Sequence, residues 1–199
     1  MPRALIFSDI HSDSKALEKL MDIEADYYFA AGDLVNFGRG LDRMAEIMRK
    51  RGSNEMYVLP GNHESTRDIA SLCARFGFVN FHEKIMQIGG TNVAGLGYSN
   101  PTPFDTPGEY SEQEIADRLN KFVDLHPLVL ICHCPPFNTA LDRISEGRHA
   151  GSRSVREFIE NHQPDYFFCG HIHEAAGAVI QMGSTRAQNV GKKGYLLEL

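Results

Sequence analysis

Ala4-Leu5-Ile6-Phe7-Ser8-Asp9-Ile10-His11 passes from four consecutive apolar residues into an acid and an imidazole within one short stretch. An apolar run this short, with no polar alternation, suits a strand buried on both faces of a parallel sheet. The same switch recurs along the chain. Residues 27–31 lead into Gly32-Asp33, and residues 56–59 lead into Gly61-Asn62-His63-Glu64. Residues 128–132 end at His133-Cys134-Pro135-Pro136, and residues 166–169 end at Gly170-His171-Ile172-His173. Helical stripes separate the first runs: Ala16, Leu17, Leu20 and Met21, then Leu41, Met44, Ala45 and Met48, then Ile69, Leu72, Cys73 and Phe76. Strand–helix alternation of this kind predicts a parallel α/β core, with the polar clusters at the carboxyl ends of strands.

The middle changes character. Residues 85–88 and 93–96, joined through Gly89-Gly90, read as a hairpin or adjacent antiparallel strands. A loop containing Pro101, Pro103, Pro107 and Gly108 ends in a capping box, Ser111 with Glu114, which opens a helix. A second capping box, Ser154 with Glu157, is expected to start another helix with Val155, Phe158 and Ile159 inward. The tail holds Gly-separated strand-like pieces, and its apolar Tyr195-Leu196-Leu197 suits either a core strand or a contact. Two helix-covered sheets in one domain, residues 1–199, would house all of this.

Hydrophobic residues at 42% and charged residues at 23% are ordinary for a globular protein. The net charge of −6 works against bulk nucleic-acid binding and leaves small phosphorylated substrates open. Cys73, Cys132, Cys134 and Cys169 form no secreted disulfide pattern. No apolar run reaches membrane-span length and no signal-type segment precedes the first strand, so the expected location is cytoplasmic.

Taken singly, most clusters have a plain structural explanation. Asp9 with His11 on one side of an extended segment also suits a cap, and Gly32-Asp33 is common turn chemistry. His171 and His173, spaced by one residue in extended backbone, are expected to point the same way and chelate. The Gly61-Asn62-His63-Glu64 string arises by chance in roughly one chain in a thousand of this length. As a set, these donors suit Mn²⁺, Fe, Zn²⁺, Co²⁺ or Ni²⁺. Two such ions roughly 3.5–4 Å apart can hold a bridging hydroxide and clamp a phosphoryl group. With Asp9, Asp33 and that hydroxide, two divalent ions leave the site near +1, an attractor for an anion.

The series resembles the calcineurin-like metallophosphoesterase superfamily, whose pattern is Asp-x-His, Gly-Asp, Gly-Asn-His-(Asp or Glu), a later His, and Gly-His-x-His. All five blocks stand in that order between Asp9 and His173. The resemblance implies a four-layer α-β-β-α sandwich, two mixed β-sheets flanked by helices, with a dinuclear centre at the strand ends. It implies that Asp9, His11 and His173 hold one metal and Asn62, His133 and His171 the other, with Asp33 bridging. His63 would stand free of the metals and assist the leaving-group oxygen, a role suited to an imidazole. The expected activity is therefore dinuclear-metal-dependent hydrolysis of a phosphodiester or small phosphomonoester, with a nucleotide among the candidates and Mn²⁺ the favoured ion.

The protein Ser/Thr phosphatase branch carries Gly-Asp-x-Val-Asp-Arg-Gly at the second block. Here the run is Gly32-Asp33-Leu34-Val35-Asn36-Phe37-Gly38, so its second Asp and its Arg are missing. That points away from a protein phosphatase and toward compact prokaryotic members. Arg143, Arg148, His149 and Arg153 follow the His133 block and are candidate grips for phosphate or sugar, against the reading of an ordinary solvated loop. Asn36 and Phe37 suit the pocket wall or rim packing. His82, His126 and His162 lie outside every motif and read as surface or helix-end residues. Two alternatives stand beside the hydrolase: a non-catalytic scaffold of the same fold, and a nuclease. Scaffolds usually lose metal ligands or the free His, whereas this chain keeps all eight positions.

Overall fold

Side chains of the first strand, β1 (Arg3–Phe7), part to two sides. Leu5 and Phe7 join a cluster packed under helices, while Ala4 and Ile6 join one that lies between two sheets. This sorting by alternate residues organises the whole molecule, and it explains why the run is apolar throughout rather than at every second position. The computed structural model describes residues 1–50 and 56–199.

After β1 come α1 (Ser14–Met21), β2 (Tyr27–Ala30), α2 (Leu41–Arg49), β3 (Met56–Val58), α3 (Thr66–Phe76) and β4 (Val79–Asn80). The hairpin β5 (Lys84–Ile88) and β6 (Thr91–Leu96) leads to α4 (Glu112–Leu119) and β7 (Leu128–Cys132). A small ribbon, β8 (Arg143–Ser145) with β9 (Arg148–His149), precedes α5 (Arg153–His162) and β10 (Tyr166–Cys169). The tail supplies β11 (Val179–Met182), β12 (Thr185–Asn189) and β13 (Tyr195–Glu198).

One sheet has the order β13-β1-β2-β3-β4 and the other β11-β12-β10-β7-β6-β5. Both are mixed: β13 runs antiparallel to β1, and β5 and β11 run antiparallel to their neighbours, while the inner pairs are parallel. Phe29 and Tyr57 of the first sheet meet Ile131 and Phe168 of the second in the central layer. Helices α1 to α3 cover the outside of the first sheet with Leu17, Met44 and Ile69, and α4 and α5 cover the second with Ile115, Leu119 and Phe158. The four-layer α-β-β-α sandwich is thus in place. The C-terminal apolar run is the edge strand β13, with Leu197 buried and Leu196, opposite Leu5, exposed. All four cysteines are free and buried.

Three expectations need correction. The cap of α5 is Ser152, not Ser154: the Ser152 side chain accepts from Val155 N–H. Glu112 of α4 takes the N–H groups of Arg153 and Ser154, so a tertiary carboxylate occupies the helix start and displaces the local box. The segment after the His133 block is solvated, as Arg143 and residues 145–148 are exposed, but it is a ribbon rather than a plain loop. It is braced at its base, where buried Asp142 accepts from the N–H groups of Asn138, Thr139 and Gly151. His82 is half-buried between Tyr98 and Tyr110, with Gly97 N–H donating to its Nδ1, so it is neither a surface nor a helix-end residue. His126 is exposed and His162 closes α5, as expected.

Candidate metal centre

The five polar clusters follow β1, β2, β3, β7 and β10, all at carboxyl ends, and they meet where the ends of the two sheets adjoin. Backbone bonds tie them together within the first sheet: Asp9 N–H donates to Gly32 O at 3.1 Å and His11 N–H to Asp33 O at 3.0 Å. Bonds across the sheets complete the ring. His171 N–H donates to Asp9 Oδ1 at 3.0 Å, and His133 Nδ1–H donates to Ala31 O at 2.8 Å.

The two extended-backbone explanations fail here. Asp9 (φ 58°), His11 (46°), Asp33 (53°) and His171 (70°) all sit in the left-handed region, which non-glycine residues rarely occupy. His173 then starts a short 3₁₀ turn. The donors converge through bent backbone, and His171 and His173 go to different groups rather than chelating together. Strain of about 1–3 kcal/mol per such residue is kept only where surrounding structure imposes it, and it gathers at functional sites. Two glycines make room: a Cβ on Gly61 would strike the Asp33 carboxylate, and one on Gly170 would strike Ser8 and Asp9.

Side-chain donors fall into overlapping groups whose ligand atoms lie within 4.8 Å of one another: Asp9 with His11 and His173, Asp33 with His133 and His171, and His11 with Asp33 and His63. Asn62 joins the second group, its Oδ1 lying 3.2 Å from His133 Nε2 and 2.9 Å from His171 Nδ1. Asp33 Oδ2 stands between the groups, 3.6 Å from His11 Nε2 and 3.4 Å from His133 Nε2. The structure therefore brings together all seven predicted ligand positions and places His63 at their edge, its ring centroid 5.2 Å from that of His11.

The electrostatics suit a cation. His11 Nε2 is buried and has no hydrogen-bond partner among the described residues, while Nδ1 bonds Asn36 Oδ1 at 2.7 Å. An Nδ1–H donated to Asn36 leaves a lone pair on Nε2, the form a metal takes. Burial pushes His11 down to about 4, against the pull of Asp33, and burial and His133 push His171 down to about 3, so both rings are neutral. Burial also disfavours charge on His133, but the Asp33 and Asp9 carboxylates outweigh it and lift the ring to about 9. Burial raises the Asp9 carboxyl; for Asp33 burial is outweighed by His133 and His11, which hold it below the usual carboxylate range. Carboxylates this deep, beside an orphaned imidazole nitrogen, fit divalent ions.

Two residues of the site, Glu64 within a quoted motif and Thr106 outside every motif, had no role assigned from the sequence. Glu64 is fully buried and accepts from Gly61 N–H (2.8 Å), Asp33 N–H (3.0 Å) and Val35 N–H (3.1 Å), stapling two of the clusters together. Burial, then the Asp33 carboxylate, push its carboxyl up to about 8, while the Val35 and Gly61 N–H groups pull it down. Thr106 accepts from Asn62 Nδ2 at 3.1 Å and donates its hydroxyl to Glu109 at 2.5 Å, which turns Asn62 Oδ1 toward the imidazoles. The only sequence signal for either is a polar residue inside or close to a motif.

Of the predicted substrate cations, Arg148 alone lines the cavity of about 380 Å³ that also holds Asp33, Asn62 and His63. His149 turns its Nδ1 to Asp142 Oδ1 at 2.7 Å, and the Arg153 guanidinium lies 4.5 Å over the Phe137 ring, so both are engaged elsewhere; Arg143 is exposed away from the cavity lining. Asn36 lines a second cavity of about 530 Å³ on the other flank, shared with Asp9, His11 and His63. Phe37 is half exposed, its ring edge-on to His63 with centroids 4.8 Å apart.

This fold and this donor set are those of a metal-dependent phosphoesterase. The chain belongs to the calcineurin-like phosphoesterase family, whose model matches residues 2–175. An uncharacterized protein of Methanocaldococcus jannaschii is 33% identical over 196 residues, covering 96% of this chain and 88% of that protein. Phosphopantetheinyl hydrolase of Mycobacterium tuberculosis superposes with a TM-score of 0.66 at 15% identity, covering 96% of this chain and 89% of the other. A dimetal phosphatase from Danio rerio superposes at 0.59 and 11% identity, covering 94% and 87%. The two solved structures share the fold. Among the described residues no helix is long and apolar enough to cross a membrane.

Proposed function

We propose that the protein hydrolyses a small phosphoester, a phosphodiester or small phosphomonoester, with two divalent metal ions, Mn²⁺ favoured. The observation that carries this reading is Asp33 Oδ2, shared at 3.6 and 3.4 Å between His11 and His133 of two donor groups. Asp9, His11 and His173 would hold one ion and Asn62, His133 and His171 the other, with Asp33 common to both. When bound, such ions supply Lewis-acid polarisation of a phosphoryl group and a water nucleophile active at neutral pH.

The other tasks fall to the chain itself. His63 Nδ1 accepts from Phe37 N–H at 3.4 Å, so the neutral ring keeps its proton on Nε2, available to a departing alkoxide. Asn36 Oδ1 and Ala31 O hold the Nδ1–H groups of His11 and His133, keeping each Nε2 aimed inward. Arg148, with no ion pair among the described residues, offers a guanidinium to a non-reacting phosphate oxygen. A net charge of −6 favours a small substrate over a polynucleotide.

A metal-by-substrate panel tests the reading. Chelated protein, reloaded singly with Mn²⁺, Fe²⁺, Zn²⁺, Co²⁺ or Ni²⁺, would be assayed on bis-p-nitrophenyl phosphate, p-nitrophenyl phosphate and 2′,3′- and 3′,5′-cyclic nucleotides. Turnover restored by a transition metal is expected, with a higher Tm on reloading. Stoichiometric metal uptake with no turnover of any ester would reject it in favour of a scaffold. A variant checks the ligand set separately. Thr106→Val keeps the side-chain shape but frees the Asn62 amide, and titration calorimetry should read a Mn²⁺ affinity weakened about 10- to 100-fold. An unchanged affinity would remove Asn62 from the metal site.

A further inference from the structure

Residues 101–104 line the Arg148 cavity, and the loop they belong to, residues 101–109, is both largely exposed and firmly braced. The Glu109 carboxylate accepts from the Thr102 hydroxyl (2.6 Å), the Thr106 hydroxyl (2.5 Å) and Thr106 N–H (2.9 Å), and Phe104 N–H donates to Thr102 Oγ1 (3.2 Å). Pro101, Pro103 and Pro107 each lock a further backbone angle. Through Thr106 the loop is anchored to Asn62, so its position relative to the donor groups is set by the same hydrogen bonds that orient a ligand.

What this bracing holds in place is Phe104, a large aromatic left 72% exposed at the mouth of the cavity. Its ring adds nothing to either helix-covered core or to the layer between the sheets. Ile144, Ile172, Pro101 and Pro103 also line the cavity and make much of its lining apolar, and Arg148 supplies the cation. A ring with two torsions, on a backbone that is already fixed, loses little freedom when a partner lies against it. Two flat rings gain attraction in offset stacking beyond the area they cover, which a puckered aliphatic ring does not match.

We propose that Phe104 is a stacking platform that makes this site select phosphoesters with a flat aromatic organic group over aliphatic esters of the same size and charge. The proposal rests on the phosphoesterase reading for its ligand class, and non-hydrolysable probes separate the two. Phenylphosphonate and cyclohexylphosphonate carry the same charge and similar bulk and differ in planarity. Titrated into the Mn²⁺-loaded protein, phenylphosphonate should bind about five- to tenfold tighter. Phe104→Ala should erase that preference by weakening the phenyl probe alone, and Phe104→Tyr should restore it. Equal binding of the probes by the unaltered protein, binding of neither, or a preference that survives Phe104→Ala would overturn the platform. Aryl phosphate hydrolysis with no such preference would overturn the platform and leave the phosphoesterase reading standing. A preference that depends on Phe104, in a protein that hydrolyses no ester, would do the reverse.

Discussion

Alanine in place of His63 is expected to slow turnover by on the order of 10²- to 10⁴-fold while the protein keeps its divalent ions. The ring is held by Phe37 N–H at Nδ1, which leaves Nε2 as the proton donor. A donor of this kind matters most when the departing group is a strong base. The loss should therefore be larger for an alkyl ester than for a p-nitrophenyl ester, whose leaving group departs without a proton. Metal analysis is the decisive companion measurement, because His63 also lies within ligand reach of His11 and Asp33. If the His63→Ala protein lost an ion together with its activity, His63 would be a ligand and not an acid. Asp33→Ala gives the contrasting outcome: metal binding and turnover should disappear together, since Asp33 Oδ2 lies between His11 of one donor group and His133 of the other.

Glu64→Ala is expected to destabilise the protein by about 3–5 kcal/mol, a large part of the stability of an ordinary domain. The substitution strands the N–H groups of Gly61, Asp33 and Val35 in a place with no exposed surface, and each buried unpaired donor costs about 1–3 kcal/mol. In a chain of this size the loss corresponds to a fall in Tm of about 6–20 °C. Glu64→Gln should recover part of the loss, because its amide oxygen can still accept from Gly61 and Asp33 N–H while its nitrogen, a donor, faces the Val35 N–H. Thermal melts of the metal-free proteins check this, and a Tm within 2 or 3 °C of the unaltered chain (about 1 kcal/mol) would mean the clusters are held by other contacts. The prediction matters for function because the staple joins the Asp33 turn to the Asn62-His63 turn, and misplacing either disturbs ligand and acid together.

Much of the fold was legible because its inner strands are covered on both faces. Ala4, Leu5, Ile6 and Phe7 are all buried, so burial needs no alternation and leaves a plain apolar run. Helices that cover one face showed themselves by spacing, as with Leu41, Met44, Ala45 and Met48. The failures have physical causes as well. Ser154-x-x-Glu157 is a sound local cap, yet Glu112, about forty residues earlier, occupies the start of α5 and shifts the cap to Ser152. His82 looked like a surface residue because its partners, Tyr98 and Tyr110, arrive from other elements. The four basic residues after the His133 block looked equivalent, but Asp142 and Phe137 engage His149 and Arg153, and of the four only Arg148 lines the cavity.

The order of residues was enough to identify the chemistry: which carboxylates, amide and imidazoles the chain offers, and that each cluster closes a buried strand. Those are properties of composition and local burial, and they survive without any knowledge of distance. Sharing a metal is different, because it depends on separations of a few ångström between residues as far apart as Asp9 and His173. Packing two sheets so that their carboxyl ends adjoin supplies that closeness, and left-handed backbone at Asp9, His11, Asp33 and His171 aims the donors. Which nitrogen of His11, His133 and His63 carries the proton likewise depends on folding, through Asn36, Ala31 and Phe37, none of which any motif singles out as a proton holder.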